Sequence, residues 1–182
     1  MTNTRQAART IDALLQRTFP IIYWGEDQST EVQFQIASSH PPDESISACM
    51  VFAITDDGKI AISKPERGWG IPGGHREKGE TAEECLRREA IEEVAIELGE
   101  LELVGYWQTK KRFESEFNRN YPSPAYQLLY VANVTAIHDF YPQLEISERA
   151  FVLPQEIEKL HHDFENFKDI FEHILELKML VR

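Results

Sequence analysis

The spacing of hydrophobic and polar residues predicts several β-strands. Apolar side chains occupy every second position in residues 31–37 (EVQFQIA), which is the period of a half-buried strand. The apolar runs 49–54 (CMVFAI) and 59–63 (KIAIS) flank a turn with the sequence DDG, so they are predicted to form a β-hairpin. Further strands are predicted at residues 101–107 and 126–134.

Other segments have the period of an α-helix. Predicted helices cover residues 4–19, 81 to about 98, 154–160 and 164–180. Strands interleaved with helices, together with a hairpin, predict a mixed β-sheet covered by helices on its faces. We expect one domain over residues 1–182, in which residues 1–45 contribute an accessory helix and strand and residues 46–182 form the core.

The chain is strongly acidic. It has 19 Lys and Arg against 31 Asp and Glu, which gives a formal net charge of -12. Such a charge repels the phosphate backbone, so a long nucleic acid is not expected as a partner, whereas a small phosphorylated ligand is compatible if a divalent cation reverses the local potential. Cys49 and Cys85 do not form a disulfide framework, and the N-terminal segment has no apolar stretch suited to a secretory signal or a membrane span. A cytoplasmic protein without membrane contact is therefore expected.

The predicted helix that begins near residue 81 has two contrasting faces. On one face, Glu89, Glu92 and Glu93 are neighbours at spacings of three and four residues. Like charges at these spacings cost about 0.2–0.5 kcal/mol per pair, whereas a hard cation such as Mg²⁺ converts the crowding into a binding site. The three glutamates are therefore predicted to be metal ligands. The ridge that should dock on the sheet consists of Ala82, Leu86, Ala90 and Val94.

The loop before this helix contains two consecutive glycines, Gly73 and Gly74. Glycine permits backbone conformations closed to other residues and lets the backbone approach a ligand closely, so both are predicted to contact substrate. Arg88 can orient a carboxylate through its planar fork of donors, and Glu80 is either its partner or a further residue around the metal.

These residues resemble the signature of the Nudix hydrolase family. Seven positions match at the family's intervals: Gly74, Glu80, Arg88, Glu89, Glu92, Glu93 and Ile96. The preceding residues 69–73 (WGIPG) also resemble the family's approach to the motif. Two positions depart from it, because Ala90 replaces a larger aliphatic residue and Ala95 replaces a glycine, and alanine tolerates positive φ poorly.

The resemblance implies an α/β/α sandwich with a mixed sheet and hydrolysis of a nucleoside diphosphate derivative, with Mg²⁺ or Mn²⁺ as the cofactor. It assigns catalytic roles to Glu80, Arg88, Glu92 and Glu93, and metal binding to Glu89, Glu92 and Glu93. Water bound to the metal would attack one phosphorus atom. The general base is left open among Glu92, Glu93, Glu145 and Glu148.

Two other functions are kept as alternatives. A catalytically inactive ligand-binding or regulatory module should have lost carboxylates from the motif, and here all are present. An RNA 5′-end pyrophosphohydrolase is disfavoured by the acidic charge and by the lack of a basic extension.

The roles of several other residues are left open or interpreted as structural. Residues 108–125 form either a lid over the substrate or a surface loop or dimer contact, and a homodimer is therefore one of the alternatives. His75 is interpreted as an exposed loop residue and Cys85 as a packing residue, while no role is assigned to His161, His162 and His173. The basic and aromatic residues of the loop are Lys110, Lys111, Arg112, Phe113, Phe117 and Arg119.

Overall fold

A computed structural model describes residues 13–142 and 145–181 of the protein. The strands are β1 (Ile21–Trp24), β2 (Thr30–Ile36), β3 (Ile46–Ile54), β4 (Ile60–Lys64), β5 (Gly73–His75), β6 (Ile96–Lys111), β7 (Ala125–Ile137) and β8 (Glu148–Val152). The helices are α1 (Ala82–Val94), α2 (Ile157–Leu160) and α3 (Phe164–Val181), with short 3-10 turns at Asp43–Ser45 and Pro154–Glu156.

The strands form one mixed sheet. Its order is β1-β2-β6-β7-β3-β4-β8, and the short β5 pairs with β3 outside this path. β3 and β7 run parallel, whereas the other pairs are antiparallel. The predicted hairpin is confirmed, since β3 and β4 are antiparallel and meet at Ile54 and Ile60.

Helices cover both faces of the sheet, because strand β3 is apolar on both sides. Val51 and Ala53 face the core that contains the ridge of α1. Phe52 and Ile54 alternate with them and face a second core that contains Ile174 of α3. Alternate residues of β3 thus contribute to cores on opposite faces of the sheet. The predicted α/β/α sandwich is confirmed.

Helix α1 begins and ends at residues whose local chemistry explains its limits. Thr81 and Glu84 form a capping box, in which the Glu84 N–H donates to Thr81 Oγ1 at 3.2 Å and the Thr81 N–H donates to Glu84 Oε2 at 2.8 Å. Ala95 is left-handed at φ 49° and ψ 50°, which ends the helix at Val94. The predicted extension to residue 98 is wrong, because the burial of Ile96 and Leu98 has the period of a strand.

Replacing Ala95 with glycine should stabilise the protein. An alanine in the left-handed conformation lowers the free energy of unfolding by about 1–2 kcal/mol. Glycine avoids this cost, but its greater entropy in the unfolded chain offsets about 0.5–1 kcal/mol of the gain. We expect Ala95→Gly to raise the free energy of unfolding by roughly 0.5–1 kcal/mol in urea denaturation. Ala90→Gly, at a buried position within α1, should instead lower it. An equal loss in both variants would contradict the account of the helix end.

Most other predicted elements are present. Residues 31–37, 101–107 and 126–134 fall largely within β2, β6 and β7, and the helices predicted at 154–160 and 164–180 are found as a 3-10 turn with α2 and as α3. β1, β5 and β8 are additional strands. In the helix predicted for residues 4–19, residues 13–15 are helical and residues 4–12 lie outside the described part of the chain. No helix within the described residues combines the length and hydropathy needed to cross a bilayer.

Candidate active site

The two glycines of the motif loop lie where a side chain would collide with its surroundings. Gly73 has a positive φ of 153°, and a Cβ atom there would overlap the carbonyl oxygen of Cys49 in the paired strand β3. At Gly74, a Cβ atom would overlap the carboxylate of Glu89. The loop therefore needs glycine at both positions, and at Gly74 the missing side chain leaves room for a carboxylate of α1.

Arg88 connects three of the four signature glutamates, Glu80, Glu89 and Glu92, to one another. Its Nε and Nη2 atoms donate to the two carboxylate oxygens of Glu80 at 2.6 and 3.0 Å. Its Nη1 atom donates to Glu89 at 2.8 Å and to Glu92 at 3.0 Å, and Nη2 also donates to the His75 carbonyl at 3.2 Å. The Arg88 hydrogen bonds, and then the Glu77 backbone N–H, lower the pKa of Glu80 to about 2. Glu80 and Arg88 are thus partners, as one of the two predicted arrangements proposed.

Glu93 lies in a different environment from the carboxylates around Arg88. Its Oε2 atom accepts hydrogen bonds from the Gly73 N–H at 3.0 Å and from Ser63 Oγ at 3.1 Å. Burial raises the pKa of Glu93 to about 7 despite these bonds, and burial also raises the pKa of Glu89. Burial thus raises the pKa of both Glu89 and Glu93 on the helix, whereas the Arg88 hydrogen bonds lower the pKa of Glu80 before it.

The same contacts determine how the carboxylates are arranged towards a metal ion. Within residues 13–142 and 145–181, no three carboxylate, imidazole or thiol groups converge on one point. Arg88 supplies the positive charge between Glu89 and Glu92, while Glu93 faces Gly73 and Ser63. The donor set itself fits a hard divalent cation, because every candidate ligand is a carboxylate and Glu89 lies in the space left by Gly74.

The two later candidates for the general base have other surroundings. Glu148 Oε1 accepts a hydrogen bond from Lys64 Nζ at 2.5 Å across the β4–β8 pair. Glu145 is exposed and lines a shallow depression that Arg67 also lines.

A cleft of about 540 Å³ opens on the α3 side of the sheet, next to the motif loop. We call it the sheet cleft. Gly70, Ile71 and His75 bring the motif loop to its wall, and Arg88 bonds to the His75 carbonyl behind that wall. The volume suits a small organic ligand. Its aromatic lining residues are Trp24, Trp107, Phe117, Tyr121 and Phe167.

The loop between β6 and β7 covers part of the sheet cleft. The buried side chain of Asn118 anchors it by donating to Thr30 Oγ1 at 3.1 Å and to the Phe113 carbonyl at 2.9 Å. Tyr121 Oη lies 3.2 Å from His75 Nε2, and their rings stack at 5.6 Å. The loop thus contacts the motif loop directly.

The basic and aromatic residues predicted in this loop have different positions. Lys111 and Phe117 line the sheet cleft. Arg112 instead lies over the ring of Tyr23 at 4.9 Å, and Arg119 forms an ion pair with Glu116 at 3.3 Å. Only part of the predicted cluster therefore faces the cleft.

Tertiary structure adds residues to the site that the sequence did not indicate. His161 and His162 line the sheet cleft beside Arg67, although their spacing suggested no function. Ser63 contacts Glu93 across 30 residues of sequence. Cys85 is buried, in keeping with its interpretation as a packing residue. None of these contacts has a local sequence signal, because each joins distant segments.

The chain belongs to the NUDIX domain family, whose family model matches residues 44–173. No curated protein matches the sequence. Among solved structures, a mutant of the Bacillus subtilis pyrophosphohydrolase BsRppH is similar with a TM-score of 0.66 and 18% identity, over 88% of this chain and 97% of that one.

Two further structures have the same fold. The NUDIX domain of Shewanella oneidensis NrtR, complexed with ADP ribose, gives a TM-score of 0.55 at 14% identity, over 72% of this chain and 86% of that one. A NUDIX hydrolase from Nitrosomonas europaea gives 0.53 at 19% identity, over 75% and 91%. At these identities the likeness establishes the fold, and the chemistry has to be argued from this chain's own residues.

Proposed function

We propose that the protein is a metal-dependent pyrophosphohydrolase that cleaves a phosphoanhydride bond in a nucleoside diphosphate derivative or another small diphosphate. The observation that carries the proposal is the set of carboxylates that Arg88 holds together. Arg88 also bonds to the carbonyl of His75, a residue that lines a cleft large enough for the rest of the substrate. Membership in the NUDIX domain family supports the same assignment.

Glu89, Glu92 and Glu93 would hold the divalent ion, Mg²⁺ or Mn²⁺ in its place. Their carboxylate oxygens are the ligands such ions prefer, and the space at Gly74 admits the Glu89 carboxylate. When bound, the ion supplies charge neutralisation for the diphosphate and activates water for attack on phosphorus.

The other motif residues would position these ligands and the substrate. Glu80 fixes Arg88 through two hydrogen bonds, and Arg88 in turn orients Glu89 and Glu92. The backbone N–H of Gly73 fixes Glu93, so the loop and helix form one unit. We assign proton acceptance to Glu92 or Glu93 rather than to Glu148, which is paired with Lys64.

The sheet cleft would bind the organic part of the substrate. Aromatic side chains on its walls can stack on a planar group, and the chain's net charge of -12 disfavours a long nucleic acid in its place. We propose that residues 46–182 form the catalytic core and that residues 1–45 are accessory to it.

A panel of diphosphate compounds tests the proposed function. Nucleoside triphosphates, nucleotide sugars, ADP-ribose, dinucleoside polyphosphates and coenzyme A are incubated with the protein and Mg²⁺ or Mn²⁺, and phosphate or nucleotide release is measured. We expect hydrolysis of at least one compound and its loss in EDTA. A short RNA with a 5′-triphosphate is included in the panel.

Two other results of the panel would each indicate a different function. Saturable binding of a compound without hydrolysis under either metal would contradict the proposal and favour a ligand-binding module. Hydrolysis confined to the RNA would favour the 5′-end enzyme.

A further inference from the structure

His161 lies at the end of the sheet cleft that is closest to the motif loop. Its backbone forms a parallel bridge with Trp69, and a Cβ atom placed on Gly70 would lie 4.0 Å from His161 Nε2. The motif begins only a few residues further along the chain, at Gly73, whose N–H binds Glu93. His161 is therefore near the boundary between the cleft and the carboxylates.

The hydrogen bonds of His161 determine which ring nitrogen carries the proton. The backbone N–H of Asp163 donates to His161 Nδ1 at 3.2 Å. Since a backbone N–H can only donate, Nδ1 is an acceptor, and the neutral ring must carry its proton on Nε2. No residue in the described part of the chain accepts a hydrogen bond from this Nε2 atom.

Stacking fixes the plane of the same ring. His161 is parallel to Phe167, with ring centroids 4.8 Å apart and an interplanar angle of 11°, and parallel to His162 at 5.1 Å and 15°. Burial lowers the pKa of His161 to about 4, with further lowering by His162 and by the charge of Arg67 and opposition from Asp163. At neutral pH the ring is an uncharged donor that lines the cleft.

Arg67 supplies a second donor beside His161. It lines the sheet cleft, and its guanidinium makes no hydrogen bond or ion pair with any residue in 13–142 or 145–181. The segment that carries Arg67 runs beside His161 and His162, because Trp69 bridges His161 and a Cβ atom on Gly68 would lie 3.0 Å from His162 Cβ. An arginine with five donors and no partner suits an anion with several acceptor oxygens.

We propose that Arg67 and His161 form a phosphate-binding site at the motif end of the sheet cleft, which holds the phosphate attached to the organic group of the substrate. Both residues offer only donors there, and a phosphate offers only acceptors. The inference rests on the proposed function in that this phosphate is one of the two joined by the cleaved bond. It predicts a preference for substrates whose diphosphate is directly linked to the group in the cleft.

Nuclear magnetic resonance of the wild-type protein tests the site without metal. Long-range ¹H–¹⁵N correlations of the imidazole rings, recorded in EDTA, should show the Nε2–H form for His161. Addition of inorganic pyrophosphate should shift the His161 ring nitrogens and raise the pKa of His161, because the bound anion favours its charged form. Unshifted His161 signals at saturating pyrophosphate would overturn the proposal.

Substitutions separate this site from other basic groups. His161→Phe keeps a stacking ring without the donor, and Arg67→Gln removes the charge; each should weaken pyrophosphate binding by about tenfold or more. The matched controls are His138→Phe and Arg119→Gln, whose parent side chains pair with Glu97 and Glu116 on the surface, and each should bind as the wild type does. Equal weakening in all four variants would also overturn the proposal.

Kinetic measurements distinguish this inference from the proposed function. With a substrate from the panel, His161→Phe should raise KM more than it lowers kcat, whereas a general loss of folded protein would lower the apparent kcat alone. Hydrolysis of a panel compound without any effect of pyrophosphate on His161 would contradict the phosphate-binding site but not the proposed function. An effect of pyrophosphate on His161 without hydrolysis of any panel compound would contradict the proposed function but not the phosphate-binding site.

Discussion

Glu93→Gln should lower kcat by roughly 10²–10⁴-fold without unfolding the protein. The substituted amide has the size of the carboxylate and can still accept from the Gly73 N–H and Ser63 Oγ, which now bind Glu93 at 3.0 and 3.1 Å. It lacks the negative charge needed to bind a cation or to accept a proton. The measurement is the steady-state rate with a panel substrate, together with circular dichroism and thermal unfolding.

Glu83→Gln is the matched control for this variant. Glu83 lies on the same helix but pairs with Arg87 at 2.9 Å on the exposed side, so its loss should leave kcat within about twofold of wild type. Activity retained in Glu93→Gln, or lost equally in both variants, would show that the charge of Glu93 has no special role.

The same variant should change how the stability of the metal-free protein depends on pH. The pKa of Glu93 is about 7 in the folded state, against 4.5 in the unfolded state. Between these two pH values, the Glu93 carboxyl group is therefore protonated only in the folded protein. The Glu93 contribution to the free energy of unfolding therefore falls as pH rises from about 4.5 to about 7, by up to roughly 3 kcal/mol. Relative to wild type, Glu93→Gln should gain stability between pH 5 and pH 8 in urea denaturation with EDTA. A constant difference between the two proteins would contradict the buried environment of Glu93.

Alanine substitutions at the two motif glycines should have opposite kinds of effect. At Gly73, the added Cβ atom meets the backbone of Cys49 at a positive φ, and neither can move away easily. We expect Gly73→Ala to lower the free energy of unfolding by about 3 kcal/mol, from overpacking and left-handed strain together.

At Gly74, the three atoms nearest to an added Cβ atom all belong to the carboxylate of Glu89, which is the end of a flexible side chain. Gly74→Ala should therefore remain folded, but the displaced carboxylate should lower kcat by about 10²-fold. Urea denaturation and steady-state kinetics of both variants measure the two effects. Gly58→Ala is the control, because Gly58 has a φ of 79° with open space around it and should lose only about 0.5–1 kcal/mol of stability with no change in kcat. Fully active Gly74→Ala enzyme would contradict the placement of Glu89.

Much of the fold was predictable because its signals are local. The apolar positions in β3 and β4 flank a turn at Gly58, and the hairpin follows from that pattern alone. The limits of α1 were less predictable. Its start follows from the capping box at Thr81, but its end depends on a left-handed alanine at a position where the family has glycine. The strand pattern of residues 96–98 was the available signal against a longer helix.

The sequence by itself determined which carboxylates lie together at the candidate site. Glu89, Glu92 and Glu93 are neighbours on any helix with 3.6 residues per turn, and Gly74 precedes that helix at a set distance, so this part needs no information from the rest of the chain. Tertiary structure alone decided the partners of these residues. Ser63 reaches Glu93, and His161 reaches the Gly70 loop, because packing of the sheet and of the segment before α3 brings together residues that are far apart in sequence. Helical spacing relates residues that are a few positions apart. Contacts between distant segments depend on which surfaces pack together, and the periodicity of a single sequence does not indicate this.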